Sequence, residues 1–172
     1  MLKARKIELL APAKNLECGI EAINHGADAV YIGAPRFSAR AAAGNTFEDI
    51  KALTEYAHLY NAKVYVALNT ILTDRELQEA EVLIRQLYNE AKIDALIVQD
   101  MGITMLDLPP VALHASTQVD NRGIEKVKFL EDAGFNQIVL PRELTIDEIH
   151  DIASQVKTPL EVFVHGALCV CY

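Results

Sequence analysis

The feature that most constrains the fold is a regular alternation of short apolar strands with helices. The pattern predicts seven strands, at 6–11, 29–33, 63–68, 95–98, 113–116, 137–140 and 160–164. Six helices separate them, at 16–24, 47–60, 75–92, 103–108, 122–133 and 146–156. The residues predicted to cap or start five of these helices are Asn15, Thr46, Thr73 or Asp74, Asn121 and Thr145. Short strands rich in Val, Ile, Leu and Ala are typical of a parallel sheet that helices cover on both sides. The alternation therefore predicts an α/β fold built from repeated strand–helix units.

The junctions from helix to strand resemble one another, which favours a barrel over a doubly wound sheet. Similar phrases stand at Gly26-Ala-Asp-Ala-Val30, Ile93-Asp-Ala-Leu-Ile97 and Gly134-Phe-Asn-Gln-Ile-Val139. The Gly-x-Gly-x-x-Gly fingerprint of a dinucleotide fold does not follow the first strand. A TIM barrel needs eight units and about 250 residues, whereas this chain has 172. We expect a single incomplete TIM-type (β/α) barrel over residues 1–172, truncated after the seventh strand.

Composition limits the environment and the partners of the chain. It is 51% apolar, enough for one large core, but it has no run of about 18 apolar residues that could cross a membrane. Its basic start leads into a short strand and Pro12 instead of the apolar region of a signal peptide. We therefore expect a cytoplasmic protein without a membrane partner. The net charge of −8 argues against this part of the protein holding nucleic acid by itself.

Polar residues gather where the predicted strands end, at the edge where TIM barrels hold their active sites. Together they predict one common pocket for a small molecule or a nucleotide. The predicted substrate-binding residues are Arg36, Arg40, Asn69, Gln99, His114, Gln118, Arg142 and Glu143. His165 follows the seventh strand and is expected at the same mouth.

The two arginines after the second strand and the histidine of the fifth strand each allow a second interpretation. Arg36 and Arg40 can clamp a phosphate or a carboxylate, or they can be solvated loop cations. His114 lies inside a strand, where a histidine is more often a core residue with satisfied hydrogen bonds than a catalytic one.

The remaining polar residues are open to similar alternatives. Asn69 and Gln118 can contact a ligand, or they can satisfy backbone groups at strand ends. Arg142 and Glu143 can line the pocket, or they can pair with each other beside the next helix.

Two of the three cysteines stand at the catalytic edge, just after a glycine turn. Cys169 and Cys171 follow Gly166, whose backbone freedom would let the chain wrap an ion or a cluster. An odd number of cysteines does not make a disulfide framework, so this pair suggests metal binding or redox chemistry more than a structural bridge. From the residues alone, buried cysteines are as good an interpretation as metal ligands. Two thiolates do not complete a zinc or iron–sulfur site. Cys18, on the first helix, is expected to be a packed and inert thiol.

The stretch Glu161-Val-Phe-Val-His-Gly-Ala-Leu-Cys169 resembles the first half of the peptidase U32 family signature, Glu-x-Phe-x-x-Gly-small-aliphatic-Cys. Four further segments carry the resemblance along the chain: Glu8-Leu-Leu-Ala-Pro-Ala13, Gly26-Ala-Asp-Ala-Val-Tyr-Ile-Gly33, Phe37-Ser-Ala-Arg40 and His114-Ala-Ser-Thr-Gln118. The resemblance implies a TIM-like N-terminal domain, cut here inside the signature loop.

The family resemblance implies two kinds of activity. The family name implies proteolysis, whereas other members are iron–sulfur proteins that hydroxylate tRNA or rRNA bases or the ubiquinone ring. In those members the signature cysteine is one of four ligands of a [4Fe-4S] cluster, and by residue match this cysteine is Cys169. Cys171 does not fall on an obligatory position of the signature, so it is a weaker candidate ligand. We expect the cluster in the full-length protein and no cofactor in this fragment.

Three functions remain open on these observations. We favour RNA base hydroxylation, because cysteines beside phosphate-binding arginines suit a nucleic-acid hydroxylase. The first alternative is a protease acting on peptides, either metal-dependent or with His165 as base and Cys169 as thiol nucleophile; the His-Glu-x-x-His and Gly-x-Ser-x-Gly motifs are absent. The second alternative is a binding domain without activity of its own.

The truncation also predicts a partner. Without an eighth strand, the first and seventh strands each keep an unpaired apolar edge, and such edges recruit further chains. We therefore expect the fragment to self-associate through its open barrel edges.

Overall fold

The computed structural model describes residues 7–39 and 44–166. Within them, seven strands form one sheet in the order β1 to β7, and every neighbouring pair is parallel. The strands are β1 Leu10–Ala13, β2 Ala29–Gly33, β3 Lys63–Leu68, β4 Ala95–Val98, β5 Ala112–Ala115, β6 Gln137–Val139 and β7 Leu160–Glu161. A strand order that follows the chain without reversal is that of a (β/α) barrel and excludes the doubly wound sheet. The predicted fold class is confirmed.

Helices connect successive strands on one side of the sheet. The α-helices are α1 Leu16–Asn24, α2 Phe47–Leu59, α3 Asp74–Gln86, α4 Ile124–Asp132 and α5 Ile146–Gln155. A π-helical turn, Leu87–Ala91, extends α3, and 3₁₀ turns occupy Met101–Met105 and Thr117–Val119. The connection between β4 and β5 is thus a 3₁₀ turn where the sequence predicted a short helix at 103–108. Within the described residues, no helix is long and apolar enough to span a membrane.

Polar caps start the helices where the sequence predicted them. The side chains of Thr46, Thr73 and Thr145 each accept a hydrogen bond from the backbone N–H three residues later. The acidic side chain of that later residue accepts a hydrogen bond from the backbone N–H of the threonine, which completes a capping box. Asn15 caps α1 by accepting from the N–H of Cys18. Each cap satisfies backbone donors that the helix itself leaves unpaired.

The main core lies between the outer face of the sheet and the helices. Alternate strand residues such as Val30, Val64 and Leu96 are fully buried there, against helix residues such as Leu53 and Ile84. Successive strand residues point to opposite faces, so these side chains define the outer face.

The helices α1 and α2 pack closely because one of them carries a glycine at the contact. An added Cβ at Gly19 would lie 2.6 Å from a methyl carbon of Leu53, so any larger residue there would force the Leu53 side chain to shift.

The inner face of the sheet holds a second, smaller cluster. Ala29, Tyr65, Ala67, Ala95 and Ile97 are buried on this side, where a barrel encloses its interior. Small residues alternate with larger ones, and this leaves open space toward the carboxyl ends of the strands.

Three further details of the fold differ from the prediction made from the sequence. Pro12 lies inside β1 instead of closing it, which an edge strand tolerates because its free side needs no N–H. Helix α4 begins at Ile124 with Gly123 as its cap, while Asn121, predicted to start that helix, is completely buried. Cys18 is exposed on α1 and is not a packed thiol, because the opposite face of that helix meets the sheet.

Candidate active site at the carboxyl edge of the sheet

A cavity of about 150 Å³ opens at the carboxyl ends of the strands, on the inner face. Its apolar walls include Ala67, Ile97 and Val139, from three different strands. Its polar and aromatic lining includes Tyr31, Asn69, Gln118, Arg142, Glu161 and Phe163. Of the predicted substrate-binding residues, the structure brings Asn69, Gln118 and Arg142 together here.

Amide groups fix the rim of the cavity. The side-chain oxygen of Asn69 accepts from the backbone N–H of Ala39 at 3.1 Å, which ties the loop after β2 to the end of β3. The side-chain nitrogen of Gln99 donates to the backbone oxygen of Gln118 at 3.2 Å, and Ser116 Oγ accepts from the N–H of Gln118 at 3.2 Å. Gln99 therefore supports a lining residue without itself lining the cavity.

Asn121 holds two strand ends in register beneath the rim. Its side-chain nitrogen donates to the backbone oxygens of Ser116 at 2.9 Å and Val139 at 3.0 Å, and both of these residues line the cavity. A single buried amide thus fixes the separation between the ends of β5 and β6. The sequence suggested a helix cap at Asn121, because asparagine is a preferred residue at the start of a helix.

Arg142 and Phe163 pack against each other at the cavity wall. The guanidinium carbon lies 3.6 Å from the centre of the Phe163 ring, a cation–π distance. Gly166 lies against the other end of the same guanidinium: an added Cβ would come within 3.4 Å of its Nη2, at a backbone φ of +141°. Only glycine fits that backbone comfortably, which explains this position of the signature segment.

Glu161 lines the cavity although the sequence did not predict it as a site residue. Its Oε2 accepts from the side-chain nitrogen of Gln137 at 2.7 Å. Burial raises the pKa of this carboxyl, the bond from Gln137 opposes the rise, and the charge of Glu8 adds to it. The sequence offered one signal that Glu161 is a site residue, since it is the first residue of the signature segment. The inward direction of its side chain, however, depends on the register of β7.

A polar cluster fills the barrel interior on the opposite side, toward the amino ends of the strands. Glu8 accepts from Lys63 Nζ and from the Tyr65 hydroxyl, each at 2.6 Å. Burial opposes ionisation of Glu8, but the bonds from Lys63 and Tyr65 lower its pKa overall. Burial and the bond to Glu8 raise the pKa of Tyr65.

His114 belongs to this interior and does not line the cavity. It is 5% exposed, and its ring packs edge-on against Tyr65 with centres 4.7 Å apart. Burial lowers its pKa to about 4, the charge of Glu8 opposes the shift, and Lys63 adds to it. The imidazole is therefore neutral near pH 7, and its Nδ1 has no hydrogen-bond partner among the described residues.

The other predicted residues lie away from the cavity or outside the described residues. Arg36 forms a salt bridge with Glu79 at 2.6 Å, and its guanidinium lies over the Phe37 ring. Its charge is therefore paired at the surface of the rim. Glu143 and His165 are exposed and do not line the cavity. Arg40, Cys169 and Cys171 fall outside the described residues, so their predicted roles stay predictions.

The described residues do not provide a metal centre. Within 7–39 and 44–166, no group of three His, Cys, Asp or Glu side chains is placed to hold an ion. The one cysteine in that part of the chain, Cys18, lies exposed on α1, on the helical layer. These residues therefore do not fit an iron–sulfur cluster, and we derive no chemical step through one.

The strand order and the cavity define a (β/α) barrel protein with a candidate binding site at the carboxyl edge of the strands. The sequence model described as Peptidase family U32 matches residues 14–172. The chain therefore belongs to peptidase family U32, and the predicted resemblance is confirmed.

Two relatives that match almost the whole chain are named for RNA hydroxylation. It is 55% identical over 171 residues to the 23S rRNA 5-hydroxycytidine C2501 synthase of Escherichia coli (strain K12), covering 99% of this chain and 26% of that protein. It is 39% identical to the tRNA hydroxylation protein P of Haemophilus influenzae, covering 97% of this chain and 37% of that protein. The chain thus spans less than half the length of these relatives.

A solved structure supports the same fold. The U32 peptidase Mk0906 superposes with a TM-score of 0.75 at 11% identity, covering 94% of this chain and 70% of that chain. At this identity the likeness bears on the fold alone.

Proposed function

We propose that this chain is the barrel of an RNA base hydroxylase and that its carboxyl-edge cavity receives a single pyrimidine base. The observation that carries the proposal is the cavity itself, in which the stacked pair Arg142–Phe163 stands beside the amides of Asn69 and Gln118. Enzymes that modify a base take it out of the stack, hold it against aromatic or apolar side chains, and read its edge by hydrogen bonds.

The size of the cavity supports a base over a peptide. Pockets for drug-sized ligands measure about 300–1,000 Å³, whereas this one measures about 150 Å³. A planar ring fits such a space, but several residues of an extended peptide do not. Guanidinium planes and aromatic rings are also the surfaces on which proteins stack single-stranded RNA bases.

The charge of the chain limits what it does alone. Its net charge of −8 opposes binding to phosphates over a wide surface. We propose that the barrel supplies the base pocket and that other parts of the full-length protein supply most of the grip on RNA. Ribosomal RNA is the first substrate to examine, because the relative with 55% identity is named for it.

The cofactor remains part of the proposal. We propose a [4Fe-4S] cluster in the full-length protein, with Cys169 as one ligand and Cys171 as a weaker candidate. Such a cluster would supply redox chemistry when bound. The role of the described residues is to bind and orient the base and to exclude water from it. We also propose that the protein works in the cytoplasm, where its RNA substrate would be found.

Nucleoside mass spectrometry tests the function. A strain deleted for the gene should lack a hydroxylated pyrimidine in rRNA or tRNA, and the full-length wild-type gene should restore it. Arg142→Ala should lower restoration at least tenfold, because it removes the cation of the stacked pair. Arg75→Ala, an exposed arginine on α3, is the matched control and should restore fully.

The peptidase alternative predicts a different result. If hydroxylated nucleosides are unchanged by the deletion, and the purified protein cleaves peptides in a manner that Arg142→Ala abolishes, the hydroxylase proposal is wrong. Iron and sulfide analysis of anaerobically purified protein tests the cluster separately, since Cys169→Ala should lose both.

A further inference from the structure

Glu161 differs in chemistry from every other residue of the cavity wall. It is the single acid among the described lining residues, and it stands at the end of β7 with Phe163 two positions later. Both side chains line the same cavity, so the acid and the ring of the stacked pair face one site.

A neighbouring strand holds the carboxyl group in place. The side-chain nitrogen of Gln137, on β6, donates to Oε2 of Glu161 at 2.7 Å. Among the described residues, no donor bonds to its second oxygen, Oε1. One oxygen is thus fixed by the protein, and the other is left for a ligand.

The surroundings make this free acceptor selective. The adjacent walls are apolar, with Ala67, Ile97 and Val139 in the same cavity. A carboxylate in such a place gains most from a ligand N–H, because charge-assisted hydrogen bonds are strong where water is excluded. The bond from Gln137 favours the ionised form of Glu161 against the effect of burial. A ligand that presents a carbonyl oxygen to that carboxylate would leave two acceptors facing each other without a proton.

We propose that Glu161 recognises the exocyclic amine of a cytosine base, with Gln137 holding the carboxylate in position. The proposal rests on the proposed function, since it identifies which pyrimidine the pocket accepts. Carboxylates accept hydrogen bonds from the N4 amine of cytosine when proteins read bases. Uracil carries a carbonyl oxygen at the same ring position, so it lacks the donor that Glu161 requires.

A chemical double-mutant cycle tests this contact. The full-length protein would be titrated with a short single-stranded oligoadenosine RNA that carries one central cytidine, or one N4,N4-dimethylcytidine, by fluorescence anisotropy. Wild-type protein should bind the dimethylated RNA about tenfold more weakly or worse, because no N–H remains. Glu161→Gln should bind the cytidine RNA about tenfold more weakly than wild type, and its preference between the two RNAs should shrink to about threefold or less.

Two further variants keep the test decisive. Glu55→Gln makes the same change on an exposed position of α2 and should behave as wild type. Gln137→Leu removes the donor that holds Oε2 and should reduce the preference for the cytidine RNA by about threefold. Circular dichroism checks that each variant is folded; if Glu161→Gln is not, Gln137→Leu alone decides.

The inference is overturned if wild type does not distinguish the two RNAs, or if Glu161→Gln or a folded Gln137→Leu keeps the full preference. Complementation of the deletion strain separates this failure from that of the proposed function. If the wild-type gene restores no hydroxylated nucleoside, the proposed function fails, and the binding cycle still decides the role of Glu161. If Glu161→Gln restores hydroxycytidine as well as wild type does, the role of Glu161 fails and the hydroxylase proposal stands.

Discussion

The two faces of the same sheet are built for different tasks. The outer face carries Val30, Val64 and Leu96, all fully buried against the helices and without a polar atom in the side chain. The inner face carries Tyr65, His114 and, around the cavity, a mixture of amides, an acid and a cation. Because strand residues alternate between the faces, one residue of register separates a stabilising position from a binding position.

Residues of the outer face and residues of the inner face should respond differently to substitution. An outer residue has atoms packed on every side, so its loss leaves a cavity. An inner residue near the carboxyl edge already borders empty space, so its loss enlarges a cavity that exists. Stability should therefore depend mostly on the outer face, and chemistry mostly on the inner face.

The largest expected effect comes from two neighbours on β4. Leu96→Ala should lower the free energy of unfolding by about 2–5 kcal/mol, as for other buried leucines. Ile97→Ala, which borders the cavity, should cost less, about 2 kcal/mol. Urea denaturation of both variants measures the difference. A larger loss for Ile97→Ala would mean that the inner face also carries the stability.

The next effect concerns the buried histidine of the inner face. The folded pKa of His114 is about 4, below the ordinary value of 6.5, so between these values the unfolded state binds a proton that the folded state does not. Stability should therefore fall as pH is lowered through this window, by up to about 3 kcal/mol.

His114→Leu should remove this contribution. Its free energy of unfolding should change less between pH 6.5 and 4 than that of the wild-type protein. His150→Gln, at an exposed position on α5, should keep the wild-type dependence. Equal pH dependence in wild type and His114→Leu would show that the imidazole is not buried in its neutral form.

The sequence predicted the local elements of the sheet and its helices, and part of the cavity lining. The strand–helix alternation and the caps Thr46, Thr73 and Thr145 were predicted correctly, because both are local patterns of apolar spacing and hydrogen-bonding side chains. Asn69, Gln118 and Arg142 were predicted to share one cavity, and they do, because strand ends of a barrel meet at one edge. Their role in binding a substrate stays a prediction.

The residues that were missed depend on contacts distant in the chain. Asn121 bridges two strand ends, and Glu161 turns inward only in the register that β6 imposes on β7. Arg36 was expected at the mouth, but Glu79 on α3 holds it on the surface. A single sequence contains each of these residues but does not show their partners.

The smallest expected effect concerns self-association at the two edges of the sheet, β1 and β7. Leu9 beside β1 and Val162 beside β7 are 53% and 43% exposed. We predict that the 172-residue chain self-associates through these edges. Leu9→Lys with Val162→Lys should weaken association about tenfold, as measured by sedimentation velocity over a concentration series. Val82→Lys, at an exposed position on α3, is the control and should associate as the wild type does. A wild-type chain that stays monomeric would contradict the prediction.

We propose that RNA meets the inner face at the carboxyl edge. Photo-crosslinking of the full-length protein to RNA, followed by mass spectrometry of the crosslinked peptides, tests this proposal. Within this chain, we expect nucleotides to crosslink to peptides containing Tyr31 or Phe163, the aromatic residues among those that line the cavity. Crosslinks confined to the helical layer, for example at the exposed Phe129 on α4, would contradict it.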